Sequence, residues 1–323
     1  MKYLLIDFGA SLVKYTVFNS MDNTFEEQKS IPSLLINNTV TKKEVFSTLQ
    51  KILSQHTNIT KVFTCSILGG YYYNDTYISW KESKNRPPVP SSPKCLIGGL
   101  FSNSSIHTHH AESLGVTGND KIQILDYIKN LNETELVPIY TNLGDTNCVI
   151  KSINLSDKEL LINMGTGSQV VDKTGILQSF IPSGRVLSVF NNFFADTKIN
   201  MFDFLGDLNV KDIIESNLEI DLNIFPQCYQ YSGGGHIKNL NNNNFTIKNF
   251  VSSLIRCYCS QYFSFINRLK PRVVNLTGGI PKKNKCIVEY FRFHFPKTYF
   301  NVCSNNVEQT LIGLSKYTHE RID

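Results

Sequence analysis

Apolar residues come in short runs closed by glycine or by polar clusters, and the runs follow two periods. Tyr3 to Ile6 is continuously apolar and ends on Asp7, the pattern of a buried strand. A turn through Gly9 leads to a second strand, Val13 to Phe18. Residues 42 to 55 place Val45, Leu49, Ile52 and Leu53 at helical spacing, which predicts an amphipathic helix. Lys61 to Leu68 reads as another buried strand, followed by Gly69-Gly70 and Tyr71-Tyr72-Tyr73. Residues 81 to 95 are charged and rich in Pro and Ser, so they predict a surface loop. Helical spacing resumes over 106 to 131. A strand, Leu136 to Tyr140, then leads to Gly144-Asp145, and Asn147 to Ile153 continues away from it.

The second half repeats the opening. Leu160 to Met164 predicts a strand, Gly165-Thr166-Gly167-Ser168 a tight turn, and Gln169 to Val171 a second strand. A helical pattern covers 246 to 268. A strand from Arg272 then runs into Thr277-Gly278-Gly279, with a short strand near 298 to 303 and a last helix from about 305. The polar break at Asn154 to Asp157 divides the chain into lobes 1–154 and 155–323. Strands alternating with helices predict an α/β fold, and 323 residues suit two lobes better than one.

Composition narrows the function. With 41% hydrophobic and 18% charged residues, the chain has apolar material for two cores and is not a disordered sequence. The net charge of +5 is spread along the chain, without the basic stretch that nucleic-acid binding needs. It suits an anionic small molecule. The first apolar run meets acid at Asp7, unlike a signal peptide, and no stretch predicts a membrane span. The expected setting is therefore cytoplasmic. Eight scattered cysteines, with Cys257 and Cys259 two apart on a helical pattern, read as reduced thiols and not as a disulfide framework. His107, His109 and His110 read as a solvated loop.

Three glycine-bearing turns carry candidate chemistry. In Asp7-Phe8-Gly9-Ala10-Ser11-Leu12-Val13-Lys14, a glycine at a hairpin tip lets backbone N–H groups approach phosphate oxygens. Ser11 and Lys14 add a donor and a positive charge. Asp7 stands where a carboxylate can hold Mg²⁺ through water. Gly165, Thr166 and Gly167 repeat this chemistry in the second half. Gly278 and Gly279 end a strand where a purine could lie against bare backbone. Asp145, at a strand end, suits a base that accepts the proton of a phosphoryl acceptor. Each motif alone also reads as an ordinary turn, and Asp145 as a helix-capping residue.

In this order the motifs resemble the FGGY carbohydrate kinases of the actin/hexokinase/heat-shock-70 superfamily. Asp7 to Lys14 resembles their opening D-x-G-x-[ST]-x-x-K. Tyr77 to Lys84 resembles their tryptophan followed by an acidic residue and a base. Gly144-Asp145, Gly165 to Ser168 and Thr277 to Gly279 resemble their catalytic, phosphate and adenosine motifs, with Glu308 and Gly313 suiting the last helix. Leu143 to Cys148 and Phe180 to Ser188 are similar to segments of the sedoheptulokinases. The chain departs from the pattern in being shorter between Trp80 and Asp145, in Glu82 for the usual Asp, and in Ala10 for the usual Thr or Ser.

The resemblance implies a two-lobed actin-like ATPase (ribonuclease H-like) fold with an inter-lobe cleft. The first lobe would bind sugar and phosphate, the second the nucleotide. It implies ATP and Mg²⁺ as cofactors, a ketose or related polyol as acceptor, Asp145 as base, and Trp80 and Glu82 as sugar contacts. The expected partners are that substrate and at most a second copy of the chain, as monomer or homodimer, with neither nucleic acid nor membrane. The alternatives are an inactive sugar- or nucleotide-binding relative, an actin-like filament ATPase, and an acyl or carbamoyl transferase on a related fold.

Overall fold

The computed structural model describes residues 1–36, 39–73, 76–78, 94–95, 124–129, 136–195, 198, 200–225 and 234–319. The chain forms two compact units. The first comprises Met1–Asn154 together with Asn305–Asp323, the second Leu155–Ser304. The C-terminal segment thus packs with the first unit, whereas the sequence reading runs the second lobe through to residue 323.

The first unit is built on β1 (Lys2–Phe8), β2 (Leu12–Asn19), β3 (Thr24–Phe25) and β4 (Lys29–Pro32). These are followed by β5 (Thr39–Thr41), α1 (Lys42–Leu53), β6 (Ile59–Ser66), β7 (Leu68–Tyr73), β8 (Thr76–Ile78) and β9 (Lys94–Cys95). Next come β10 (Ile124–Lys129), β11 (Leu136–Gly144) and α2 (Asp145–Ser152). Along the main sheet the order is β10-β11-β6-β1-β2-β3, with β4 also on β2. β1 is antiparallel to β2 and parallel to β6, and β6 is parallel to β11. A central strand buried on both faces needs apolar residues at every position, which is why Tyr3 to Ile6 shows no alternation. β5, β7, β8 and β9 form a separate small sheet.

Two layers cover the main sheet. On one face Leu4, Ile6 and Phe8 pack with Val45, Leu49 and Ile52 of α1. That helix starts with a reciprocal capping box between Thr41 and Glu44. On the other face Tyr3, Leu5, Phe63, Cys65 and Leu143 pack with Cys148 of α2 and with Leu311 and Leu314 of the chain's last helix.

The second unit begins with β12 (Glu159–Met164), β13 (Ser168–Asp172), β14 (Gly175–Ile181) and α3 (Gly184–Ala195). It continues with α4 (Met201–Asp207), α5 (Val210–Glu215), β15 (Glu219–Ile220), β16 (Ile237–Lys238), α6 (Ile247–Ser260) and α7 (Phe263–Leu269). It closes with β17 (Val273–Thr277), α8 (Gly279–Lys283), α9 (Lys285–His294) and β18 (Tyr299–Val302). Its sheet order is β14-β13-β12-β17-β18. β12 is antiparallel to β13 and parallel to β17, and β17 is parallel to β18. This is the β3-β2-β1-β6-β11 arrangement of the first unit over again. Leu160, Ile162 and Met164 face a core of Leu187, Val251, Leu254, Ile255 and Phe291.

Two elements differ from the pattern-based expectation. Residues 124–129 form a strand antiparallel to β11, not the end of a helix. Ile124, Leu125 and Ile128 suit either period, and pairing with the open edge of β11 satisfies their backbone groups. The helix expected over 246 to 268 is two helices, α6 and α7, separated by Gln261-Tyr262.

The last helix, α10 (Gln309–Thr318), lies so close to α2 that a Cβ on Gly313 would overlap the Cys148 carbonyl group. Backbone cannot yield as a side-chain tip can, so Gly313→Ala should destabilise the first unit by about 3 kcal/mol or more. Denaturant unfolding measures this; a loss under about 0.5 kcal/mol would show that the helices do not meet there.

Candidate functional site

Asp7 is the penultimate residue of β1, and strand register sets its neighbours. It lies opposite Lys14 of β2 and beside Cys65 of β6, while Leu143 of β11 is Cys65's partner on the far side. Asp145, two residues after Leu143, opens α2. Its Oδ1 accepts from the Thr146 N–H at 2.7 Å and the Thr146 hydroxyl at 3.3 Å. The Asp7 side chain is buried, 3% exposed. Its Oδ2 accepts from the Thr310 hydroxyl at 2.9 Å, and its Oδ1 takes the Cys65 thiol at 3.7 Å.

Burial pushes the Asp7 carboxyl up to about 7; Lys14 opposes the shift and the Asp145 charge adds to it. The two carboxylates therefore repel within one electrostatic neighbourhood. Burial also raises Cys65 and Cys148, so both are neutral thiols. Lys14 Nζ lies 3.6 Å from Glu308 Oε1. Ser11 is exposed at the hairpin tip.

Gly9 is required by the turn itself. Its N–H donates to Leu12 O at 3.1 Å, and a Cβ would stand 2.7 Å from that oxygen. In the second unit the Gly165 N–H donates to Gly167 O at 3.1 Å. Those two N–H groups close their own turns and are not donors for a phosphate, as the hairpin chemistry alone had implied. What the glycines offer is close approach.

In the second unit the structure brings the predicted turns together. Gly278 has φ +90°, and a Cβ there would overlap the Met164 carbonyl just before Gly165. Thr277 Oγ1 donates to Asn163 Oδ1 at 3.0 Å, and Asn163 Nδ2 donates to Gln169 Oε1 at 2.8 Å. The T-G-G turn is thus tied to the G-T-G-S hairpin through Asn163. The N–H groups of Gly184 and Arg185, at the start of α3, donate to Gly165 O and Thr166 O at 3.0 and 2.9 Å. Thr166 and Gly167 are part-exposed at the hairpin tip, and Gly279 is exposed where α8 begins.

Sequence reasoning did not pick out Cys65, Thr310 or Asn163. Asn163-x-Gly165 parallels Asp7-x-Gly9, a signal that would have revealed it. Thr310 carries no local signal. Trp80, Glu82 and His107, His109 and His110 lie outside the described residues. A separate open cavity of the second unit, lined by Glu219, Asp221, His236 and Gln261 among others, contains none of the predicted site residues.

Among the described residues no group of three or more His, Cys, Asp or Glu is arranged to hold a metal ion. Asp7 supplies one carboxylate donor, and the nearby Asp145 charge adds a negative potential that a cation would relieve. That donor set fits Mg²⁺, which keeps most of its waters and borrows phosphate oxygens. The neutral thiols beneath do not attract a softer ion.

No protein-family model matches this sequence, and no curated protein matches it. Solved structures do match its fold. The xylulose kinase from Lactobacillus acidophilus superposes with a TM-score of 0.65 at 12% identity, over 100% of this chain and 90% of its own. The gluconate kinase from the same organism gives 0.63 at 12%, over 100% and 91%. This is the actin-like ATPase fold. The activator of 2-hydroxyisocaproyl-CoA dehydratase from Clostridium difficile, a structure with bound ADPNP, shares the actin-like fold at a TM-score of 0.50 and 12% identity, over 100% and 98%. No helix among the described residues of this actin-like chain is long and apolar enough to cross a membrane.

The raised Asp7 carboxyl has a consequence for stability. Its folded value, about 7, exceeds the ordinary 3.8, so the folded chain holds the extra proton between those values. Stability should fall as pH rises through that window, by a few kcal/mol in all, with the full cost present above about pH 7. Asp7→Asn should remove this slope and melt higher than the wild type at pH 8. Equal melting temperatures at pH 8, with unchanged pH dependence, would show that Asp7 is solvated.

Proposed function

We propose that this protein transfers the γ-phosphoryl group of ATP to a hydroxyl of an open-chain ketose or related polyol. The observation that carries the reading is the electrostatic interaction of Asp7, near the end of β1, with Asp145, just after β11, the two strands flanking β6 in an actin-like unit. It is supported by structural likeness to proteins described as xylulose and gluconate kinases.

Asp145 takes the proton of the attacking hydroxyl as its oxygen bonds to the γ-phosphorus, and the bond to the ADP oxygen breaks. Its Oδ1 is held by the Thr146 N–H and hydroxyl, which fixes the orientation of the carboxylate. Asp7 would hold a hydrated Mg²⁺, which would supply neutralisation of phosphate charge. Lys14, part-exposed beside Glu308, can turn its ammonium to a phosphate oxygen. Ser11, Thr166 and the bare backbone at Gly9, Gly165 and Gly167 receive the phosphates, and Gly278 and Gly279 the adenosine. Trp80 and Glu82, outside the described residues, are the proposed sugar contacts from the sequence resemblance, since an indole suits C–H groups and a carboxylate can accept from two hydroxyls. The sequence between Trp80 and Asp145 is shorter than in the family it resembles, and on that ground we favour a long ketose as acceptor, with sedoheptulose the leading candidate.

ATP consumption measured against ketoses and polyols of three to seven carbons tests the reading. Turnover should favour the longer ketoses, and efficient phosphorylation of glycerol would contradict that preference. Asp145→Asn should lower kcat by about 10²–10⁴-fold while leaving the Kd for an ATP analogue within about threefold, because the base acts on the acceptor. Full activity in that variant would remove Asp145 from the role. Nucleotide binding without transfer to any acceptor would favour a non-catalytic binding protein.

A further inference from the structure

The first strand and the last helix meet at one hydrogen bond. Thr310 Oγ1 donates to Asp7 Oδ2 at 2.9 Å across 303 residues of sequence. Several independent contacts fix where Thr310 sits. The Glu308 N–H donates to Gln28 Oε1 at 2.7 Å, docking the start of α10 beside β4. Glu308 also pairs with Lys14 of β2 at 3.6 Å. One turn further on, Gly313 is seated against the Cys148 carbonyl of α2. The helix is thus held on both sides of Thr310, and the hydroxyl has little freedom to leave the carboxylate.

The two oxygens of Asp7 are not equally held. Among the described residues Oδ1 meets the Cys65 thiol, at 3.7 Å, a weak donor. Thr310 supplies the hydroxyl that defines the rotation of the carboxylate about its last bond. Neither the strand register nor the turn at Gly9 sets that rotation.

We infer that Thr310 is a positioning residue, whose hydroxyl holds the Asp7 carboxylate in the orientation from which it takes a hydrated magnesium ion together with its nucleotide. The inference rests on the ATP reading above. It predicts a defect confined to the magnesium-bound nucleotide, because Thr310 acts through Asp7 and touches no phosphate itself. A hydroxyl serving only to stabilise the fold would show no such dependence on the metal.

Calorimetric titration with AMPPNP, in Mg²⁺ and separately in EDTA, decides between these. Thr310→Val keeps the shape and removes the donor; Thr310→Ser keeps the donor. The valine variant should bind Mg·AMPPNP roughly 10- to 100-fold more weakly, the loss expected for a hydrogen bond to a charged group. Its affinity for metal-free AMPPNP should stay within about twofold, and Thr310→Ser should recover Mg·AMPPNP binding to within about threefold. Thr310→Ala gives the same reading should the valine variant fail to fold. Wild-type affinity for Mg·AMPPNP in a folded valine or alanine variant would overturn the inference. So would equal losses with and without Mg²⁺, or a serine variant no better than valine. A wild-type protein that binds AMPPNP under neither condition would overturn the ATP reading and this inference with it.

Discussion

A carboxylate buried at the end of the first strand is the constraint around which the first unit is arranged. Removing Asp7 from water costs free energy that only nearby donors and positive charge can offset. The structure supplies them from separate places: Lys14 from the strand on one side, Cys65 from the strand on the other, and Thr310 from the last helix. The last requires the chain to return to its first unit after completing the second, and residues 305–323 do so. The docking of α10 through Gly313, Glu308 and Gln28 follows from the same requirement. So does the apolar layer formed by Leu311 and Leu314 with Tyr3 and Leu5.

The second unit repeats the arrangement without the charge. In the first, Asp7 is registered between Lys14 and Cys65. In the second, Asn163 is registered between Gln169 and Thr277. Each polar residue stands two before a turn glycine. In one unit the centre is ionisable and coupled to a second carboxylate. In the other it is an amide whose oxygen accepts from Thr277 and whose nitrogen donates to Gln169, both within 3.0 Å. The same backbone thus offers a charged station suited to a cation and a neutral one that braces two glycine turns. The division of labour lies in side chains and not in topology.

Much of this architecture was legible in the sequence. The strand at Tyr3 to Ile6, the helix with Val45, Leu49, Ile52 and Leu53 buried, and the strand-turn-strand at Leu160 to Val171 all stand where periodicity put them. Strong periodic signals survive folding because they are the burial pattern itself. Residues 124–129 were misread because their apolar spacing suits helix and strand alike, and a neighbouring strand edge decided between them. The Gly9 and Gly165 turns were located, but not the use of their N–H groups, since a turn's internal hydrogen bond leaves no mark on composition. Thr310 and Cys65 were invisible because they matter only through contacts with Asp7 that sequence spacing cannot express.

The central claim is that the Gly9 and Gly165 hairpins are phosphate-binding turns of an ATP-using protein. Amide hydrogen exchange, followed with and without Mg·AMPPNP, tests it most directly. Exchange should slow in residues 9–12 and 165–168 on addition of the nucleotide. Protection absent from both turns, or confined to the separate cavity around Glu219 to Asn223 and Gln261, would contradict it.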